Sequence, residues 1–135
     1  MQSKFTSSII LTGLLLLVAT EIPAQFIFDA KKLSKRKQAK VDKHPLGSED
    51  NPVRCAHPEG ERAYLDRLRC ESGEPPEYER SGSVGEGPYG AIMDRYVVTC
   101  PGEETKRSIY MDMYHAYVEL RPAWGFYIVK PPGDD

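Results

Sequence analysis

The sequence lacks the residue spacings on which most recognisable catalytic and metal sites depend. Its only cysteines, Cys55, Cys70 and Cys100, are widely separated, whereas structural zinc takes four ligands in close pairs. There is no Ser/His/Asp set and no phosphate loop. The one arrangement open to cysteine hydrolysis, Cys55 with His57 or His115, has no third group to orient the histidine. We therefore expect a protein that is not an enzyme.

A run of apolar residues long enough to span a membrane is also missing. A span needs about 20 such residues, and the run that follows Lys4 is interrupted by Glu21 and Pro23. Its length fits the hydrophobic region of a secretion signal. We expect residues 1–24 to be a signal peptide, Gln25 to begin the mature chain, and the protein to be secreted or periplasmic. The alternative is an uncleaved signal that tethers the protein to the membrane.

Charge divides the rest of the chain into a basic arm and an acidic domain. Residues 31–43 carry seven Lys or Arg against one Asp, and residues 49–135 carry ten against seventeen Asp or Glu. The arm, residues 25–48, has few apolar residues and is predicted to be disordered. It is suited to touching an anionic membrane surface, and positive charge so close to an apolar run also favours the tethered alternative. An acidic domain disfavours nucleic acid as a partner.

The cysteines are predicted to form one disulfide and leave one thiol, because an exported chain meets an oxidising compartment. We favour Cys70–Cys100, since each of these residues ends a predicted regular element and can be held at the separation that a disulfide requires. The pairings Cys55–Cys70 and Cys55–Cys100 remain open. In the favoured pairing Cys55 is the free thiol, either buried or able to link two chains as a dimer.

A helix is predicted at the start of the domain, residues 49–130. Pro58 and the acidic Glu59 are typical of a first helical turn, and Tyr64, Leu65 and Leu68 share one helical face. A strand is the alternative for residues 59–71, because these residues also alternate. A polar edge strand is predicted at residues 78–84, followed at 85–90 by a glycine turn that matches GxGxxG only in its letters. A hairpin is predicted at residues 92–115. Two further extended segments are predicted at residues 117–120 and 125–129, and a disordered tail at 131–135.

These elements together predict an α+β fold. One short helix packs on a small antiparallel sheet of three to five strands, after the signal peptide and the disordered basic arm. The domain is small for a single core, and the disulfide is expected to support it.

Several short motifs resemble the core of small, uncharacterised exported (periplasmic) proteins of Gram-negative bacteria. The resemblance rests on GERAYLDRLRC at residues 60–70, GPYG at 87–90, Asp94 with Tyr96, and YMDMYH at 110–115. It covers about half of the chain. It implies an envelope or periplasmic setting and assigns no catalytic residue.

The return strand of the hairpin carries a candidate soft-metal site. Alternation places Met111, Met113 and His115 on one face, and Met93 lies on the partner strand. Thioether and imidazole ligands suit Cu(I), so a copper-binding protein is the alternative function. Methionine is also a common core residue, in which case no cofactor is expected.

The opposite face of that strand carries a candidate recognition surface formed by Tyr110, Asp112 and Tyr114. Tyrosine is enriched at interfaces because its ring is apolar and its hydroxyl can hydrogen-bond. Asp94 and Asp112 are also candidates for a carboxylate pair across the hairpin. The sequence as a whole predicts a non-catalytic binding or interaction module, whose partner is an unknown envelope protein or ligand.

Overall fold

A computed structural model describes residues 32–133 of the chain. The predicted signal peptide and Gln25 lie outside these residues. The described chain forms two helices and six strands. They are α1 (Lys35–Val41), β1 (Val53–Arg54), α2 (His57–Arg67), β2 (Leu68–Arg69), β3 (Glu77–Glu86), β4 (Ile92–Thr99), β5 (Lys106–Asp112) and β6 (Tyr127–Ile128).

The main sheet has the strand order β1-β5-β4-β3, and β2 pairs with β6 in a separate small sheet. An α+β fold is therefore confirmed, and β3, β4 and β5 are antiparallel as predicted, whereas the added strand β1 runs parallel to β5 and makes the main sheet mixed. The backbone N–H of Cys55 donates to the Asp112 carbonyl at 3.0 Å, and that of His57 donates to Met113 at 2.9 Å. These bonds hold the irregular segment around β1 along β5.

The predicted hairpin is present as β4 and β5, and its alternation sets the core. Tyr96 opposes Ile109 across the two strands, and both side chains are buried with Val98 and Met111. The long strand β3 is the edge of the sheet, as the polar sequence predicts. The strand β5 ends at Asp112, so the alternating pattern stops before it reaches His115.

Residues 57–67 form a helix, which decides between the helix and strand predictions for this segment. Tyr64 and Leu65 are buried against the sheet, as the helical pattern predicts. The chain then turns into β2, where Leu68 is fully buried, and Cys70 directly follows the end of that strand at Arg69. The predicted disulfide Cys70–Cys100 is confirmed, with the two Cα atoms 5.9 Å apart.

The basic arm differs from the prediction of disorder over its described part. Residues 35–41 form α1, whose first turn is capped by the Ser34 side chain, and Val41 is buried. Gln38 donates from its side chain to the Tyr89 hydroxyl at 3.0 Å, far away in sequence. The Gly47 carbonyl accepts from the backbone N–H of Tyr110 at 2.8 Å. Capping and contacts with the domain order this segment although it contributes little to the core.

The segments after β5 also differ from their predictions. Residues 117–120 form no strand, and residues 125–129 contribute only the short β6, which pairs with β2 outside the main sheet. Pro122 lies between these two segments and cannot donate to a strand ladder. Residues 131–133 of the predicted tail are described, and Pro131 and Pro132 line a cavity.

Candidate ligand-binding groove

A half-open cavity of about 580 Å³ lies between α2, residues 117–119 and residues 129–132. We call it the α2 groove. Gly60, Ala63 and Arg67 line it from the helix, at the spacing of one helical face, and Cys55 and Ala56 line it from the chain before α2. Most of the lining surface is apolar, and the volume falls in the range of about 300–1,000 Å³ typical of ligand pockets.

Two aliphatic side chains that line the α2 groove are exposed. Val118 is 61% exposed and Val129 is 41% exposed. Val118 lies on the irregular segment after β5, and Val129 directly follows β6. Their exposure supplies apolar surface that an apolar ligand would cover.

The walls of the α2 groove are joined by Arg67. Its guanidinium donates to the carbonyl oxygens of Ala63 at 3.3 Å, Val129 at 3.3 Å and Glu119 at 2.6 Å. Burial lowers the pKa of Arg67, opposed by the nearby Glu119 carboxylate. One buried side chain therefore fixes three segments relative to one another: α2, the segment after β5 and the segment after β6.

The wall at residues 117–121 is held by a second buried charge. The Glu119 carboxylate is buried, and Arg121 donates to it from its guanidinium, at 2.9 Å to each oxygen, and from its backbone N–H. Burial alone would raise the pKa of Glu119, but the hydrogen bonds from Arg121 outweigh it and hold the pKa below its usual range. The Tyr64 hydroxyl donates to the Arg121 carbonyl at 3.0 Å and ties this segment to α2.

A second cavity, of about 450 Å³, is lined by Arg54, and we call it the Arg54 pocket. The Arg54 guanidinium lies 4.6 Å from the centre of the Tyr117 ring and 5.3 Å from that of Tyr89. Tyr117 also lines the α2 groove, so the Arg54–Tyr117 contact lies between the two cavities. The Arg54 pocket is lined further by Lys32 and Lys35 from the region of α1.

His115 lies at the wall of the Arg54 pocket and is paired with a buried carboxylate. Its Nε2 is 3.1 Å from Oδ2 of Asp112, and its ring packs edge-on against Tyr89. The two atoms are within ion-pair distance but are not aligned for a hydrogen bond, and neither has another hydrogen-bond partner in residues 32–133. Asp112 also accepts from the backbone N–H of Tyr114 at 3.1 Å.

The structure divides the predicted copper ligands. Asp94 pairs with Met111 across the hairpin, so these two side chains share a face and Met93 points to the other one. Met111 is fully buried in the core, and Met93 is buried beneath Gly87. Met113 packs at the edge of the core, and His115 faces Asp112. The four residues are therefore not brought to one position, and Cu(I) binding stays a prediction.

The predicted recognition surface is only partly accessible. Tyr110 and Tyr114 are half-buried, whereas Asp112 is fully buried and faces His115. The predicted carboxylate pair of Asp94 and Asp112 is wrong, because the register places the two side chains on opposite faces of the hairpin.

Cys55 is the free cysteine, and its thiol is buried at the floor of the α2 groove. Its Sγ lies 3.8 Å from the Asp112 carbonyl oxygen. Burial, and then the Glu61, Asp112 and Asp94 carboxylates, raise the pKa of the thiol. A disulfide between two chains would require this residue to become exposed.

A buried acid that the sequence analysis missed lies on the sheet side of α2. Glu61 is fully buried, and the Tyr96 hydroxyl donates to its Oε2 at 2.9 Å, while Oε1 has no partner in the described part of the chain. Burial raises its pKa to about 7, against the hydrogen bond from Tyr96, which lowers it. Asp94 is satisfied separately by Arg80, at 2.6 and 2.8 Å, and by Ser83.

The α2 groove and the Arg54 pocket were not foreseen as sites from the sequence. Their residues come from separate segments that share no periodic pattern, so only the tertiary fold brings them together. The one feature of the sequence that could have pointed to them is Glu119, an acid that lies between the apolar residues Val118 and Leu120.

Comparisons with known proteins give no match to a family model, to a curated protein or to a solved structure. Neither helix within residues 32–133 is long and apolar enough to cross a membrane. The same residues hold no group of three or more His, Cys, Asp or Glu side chains placed to bind a metal ion. The class of the protein rests on its fold alone: residues 32–133 form an α+β domain with one disulfide.

Proposed function

We propose that the chain is an exported, non-catalytic binding module that takes an apolar ligand in the α2 groove. The observation that carries this proposal is a half-open cavity of about 580 Å³ with mainly apolar lining and with Val118 and Val129 exposed on its walls. Apolar cavities of this size with a few convergent polar groups are the usual form of small-molecule sites. The hydrogen bonds of Arg67 support a groove that exists before its ligand binds.

The non-catalytic part of the proposal is supported by the state of the groove's polar groups. The Cys55 thiol is held in its protonated form by burial, and the thiolate is the nucleophile in cysteine chemistry. Glu119 is already bound by Arg121, and Arg67 is occupied by backbone carbonyls. These groups build the groove, which leaves binding as its natural role.

The exported location is part of the same proposal. It is supported by the apolar run before Glu21 and by the disulfide Cys70–Cys100, because disulfides persist in oxidising compartments. N-terminal sequencing of the protein recovered from an expressing bacterium tests it. We expect a chain that begins at Gln25, and a chain that retains Met1 in the cytosol would contradict export.

Binding is tested with the uncharged fluorescent probe N-phenyl-1-naphthylamine and the protein as it is recovered from the expressing bacterium. We expect a saturable rise in fluorescence, and we expect Val118→Asp to weaken probe binding about tenfold or more, because the ligand would then bury a charge. Ile92→Asp is the matched control, since Ile92 is 53% exposed and lies outside the groove lining. Unsaturable binding, or equal weakening by both variants, would contradict the proposal.

A further inference from the structure

The Arg54 side chain is held in place, and no acidic side chain in the described part of the chain is bound to it. Its guanidinium packs against the Tyr89 and Tyr117 rings at 5.3 and 4.6 Å, and it makes no hydrogen bond or ion pair to any residue between 32 and 133. A planar arginine fork fits the two oxygens of a carboxylate or phosphate. Because the stacked rings already restrict the side chain, binding an anion there costs little further ordering.

The surroundings of Arg54 favour negative charge. Lys32 and Lys35 line the same pocket, and Asp42 is the one acid among the residues of the described range 32–133 that line it. Asp42 already accepts a hydrogen bond from the Gln38 side chain at 2.9 Å. Two other carboxylates on this side of the fold already have partners: Glu119, which Arg54 also attracts, is bound by Arg121, and Asp112, the register partner of Arg54 across β1 and β5, faces His115.

The Arg54 pocket and the α2 groove are linked through the contact between Arg54 and Tyr117. Tyr117 stacks on Arg54 and lines the α2 groove, and Cys55, the next residue after Arg54, lines that groove as well. An unbound cationic fork therefore lies directly beside an apolar cavity. This juxtaposition is complementary to a molecule that has an anionic group at one end and a hydrocarbon chain at the other.

We infer that the ligand is a single-chain anionic amphiphile, with its hydrocarbon chain in the α2 groove and its carboxylate or phosphate headgroup on Arg54. The inference rests on the proposed function, because it requires the α2 groove to bind apolar groups. Arg54 supplies the selectivity for the anion, and Lys32 and Lys35 add attraction without a fixed geometry.

Calorimetric titration with three ligands of equal chain length tests the inference. Dodecanoate and dodecyl phosphate are compared with uncharged dodecanol, the anions below their micelle-forming concentrations and dodecanol below its solubility limit. We expect at least one anion to bind the protein about tenfold or more tightly than dodecanol, because hydrogen bonds to charged groups are the stronger ones. The tighter anion identifies the headgroup.

Variants separate Arg54 from general charge. Arg54→Gln is expected to abolish the preference for the anion, and Arg54→Lys to restore part of it. The matched control Arg36→Gln removes an exposed charge beside Lys35 that does not line the pocket, and it is expected to keep the preference. Circular dichroism of each variant confirms that it is folded.

The outcomes distinguish this inference from the proposed function. Equal binding of dodecanol and both anions, weakened by Val118→Asp, would overturn the role of Arg54 and leave the apolar groove standing. A preference for the anion that survives Arg54→Gln would overturn it as well. Failure of all three ligands and of the neutral probe to bind would overturn both.

Discussion

The buried carboxyl of Glu61 should make the domain less stable as the pH rises through neutrality. Its side chain is fully buried between α2 and the sheet, and within residues 32–133 its one hydrogen bond comes from the Tyr96 hydroxyl. Glu61→Gln is the informative change, because glutamine keeps an oxygen that can accept from Tyr96 but carries no ionisable group.

The size and sign of the effect follow from the pKa. Burial raises the pKa of Glu61 from 4.5 to about 7 in the folded protein. The folded state therefore binds more protons than the unfolded state between these values, and the free energy of unfolding falls as the pH rises across this window. At about 1.4 kcal/mol for each pKa unit, the ionised carboxylate costs the folded state on the order of 3 kcal/mol above the window.

Urea unfolding followed by circular dichroism at a series of pH values measures this effect. Relative to the unchanged protein, Glu61→Gln is expected to gain about 3 kcal/mol between about pH 4 and pH 9. Glu59→Gln is the matched control, since Glu59 lies on the same helix with its side chain 76% exposed, and it should show no such trend. A Glu61→Gln difference that does not change with pH would refute the reasoning.

Three further outcomes follow from the cysteines and methionines. Replacing Cys70 and Cys100 together by alanine should cost about 4 kcal/mol of the free energy of unfolding, because a closed loop of 30 residues is lost; an unchanged urea midpoint would contradict this. Cys55 should react with a thiol reagent in the native protein far more slowly than in urea, and equal rates would contradict its burial. Titration with Cu(I) against a competing chelator tests the copper prediction. Binding tighter than millimolar that is lost in the double variant Met111→Leu, Met113→Leu would support the prediction. Binding weaker than millimolar would dismiss it.

The elements that could be predicted from the sequence are those with a local cause. The hairpin follows from strand-forming residues around a glycine turn, and the buried face of β5 at Ile109 and Met111 follows from alternation. The Cys70–Cys100 disulfide could be favoured because each cysteine was predicted to end a regular element, and each directly follows a strand, β2 or β4. Each of these inferences uses only neighbours along the chain.

The elements that escaped prediction depend on contacts between distant segments. The helix α1 contains one buried residue, Val41, and its ordering includes the hydrogen bond from Gln38 to Tyr89. The strand β1 is only two residues long, and its parallel pairing with β5 has no sequence pattern. Arg54 is set by two tyrosines far along the chain, so neither its stacking nor its free donors can be read from its neighbours.

The central claim is that an anionic amphiphile binds in the α2 groove and on Arg54, and mapping where dodecanoate binds tests it most directly. Backbone amide chemical shifts of the isotope-labelled protein are recorded during titration with dodecanoate. We expect the largest changes in residues 54–67, 117–119 and 129–132, which surround the α2 groove and Arg54. Saturating changes centred instead on Trp124 and the cavity beside it, or no change across the α2 groove, would contradict the account.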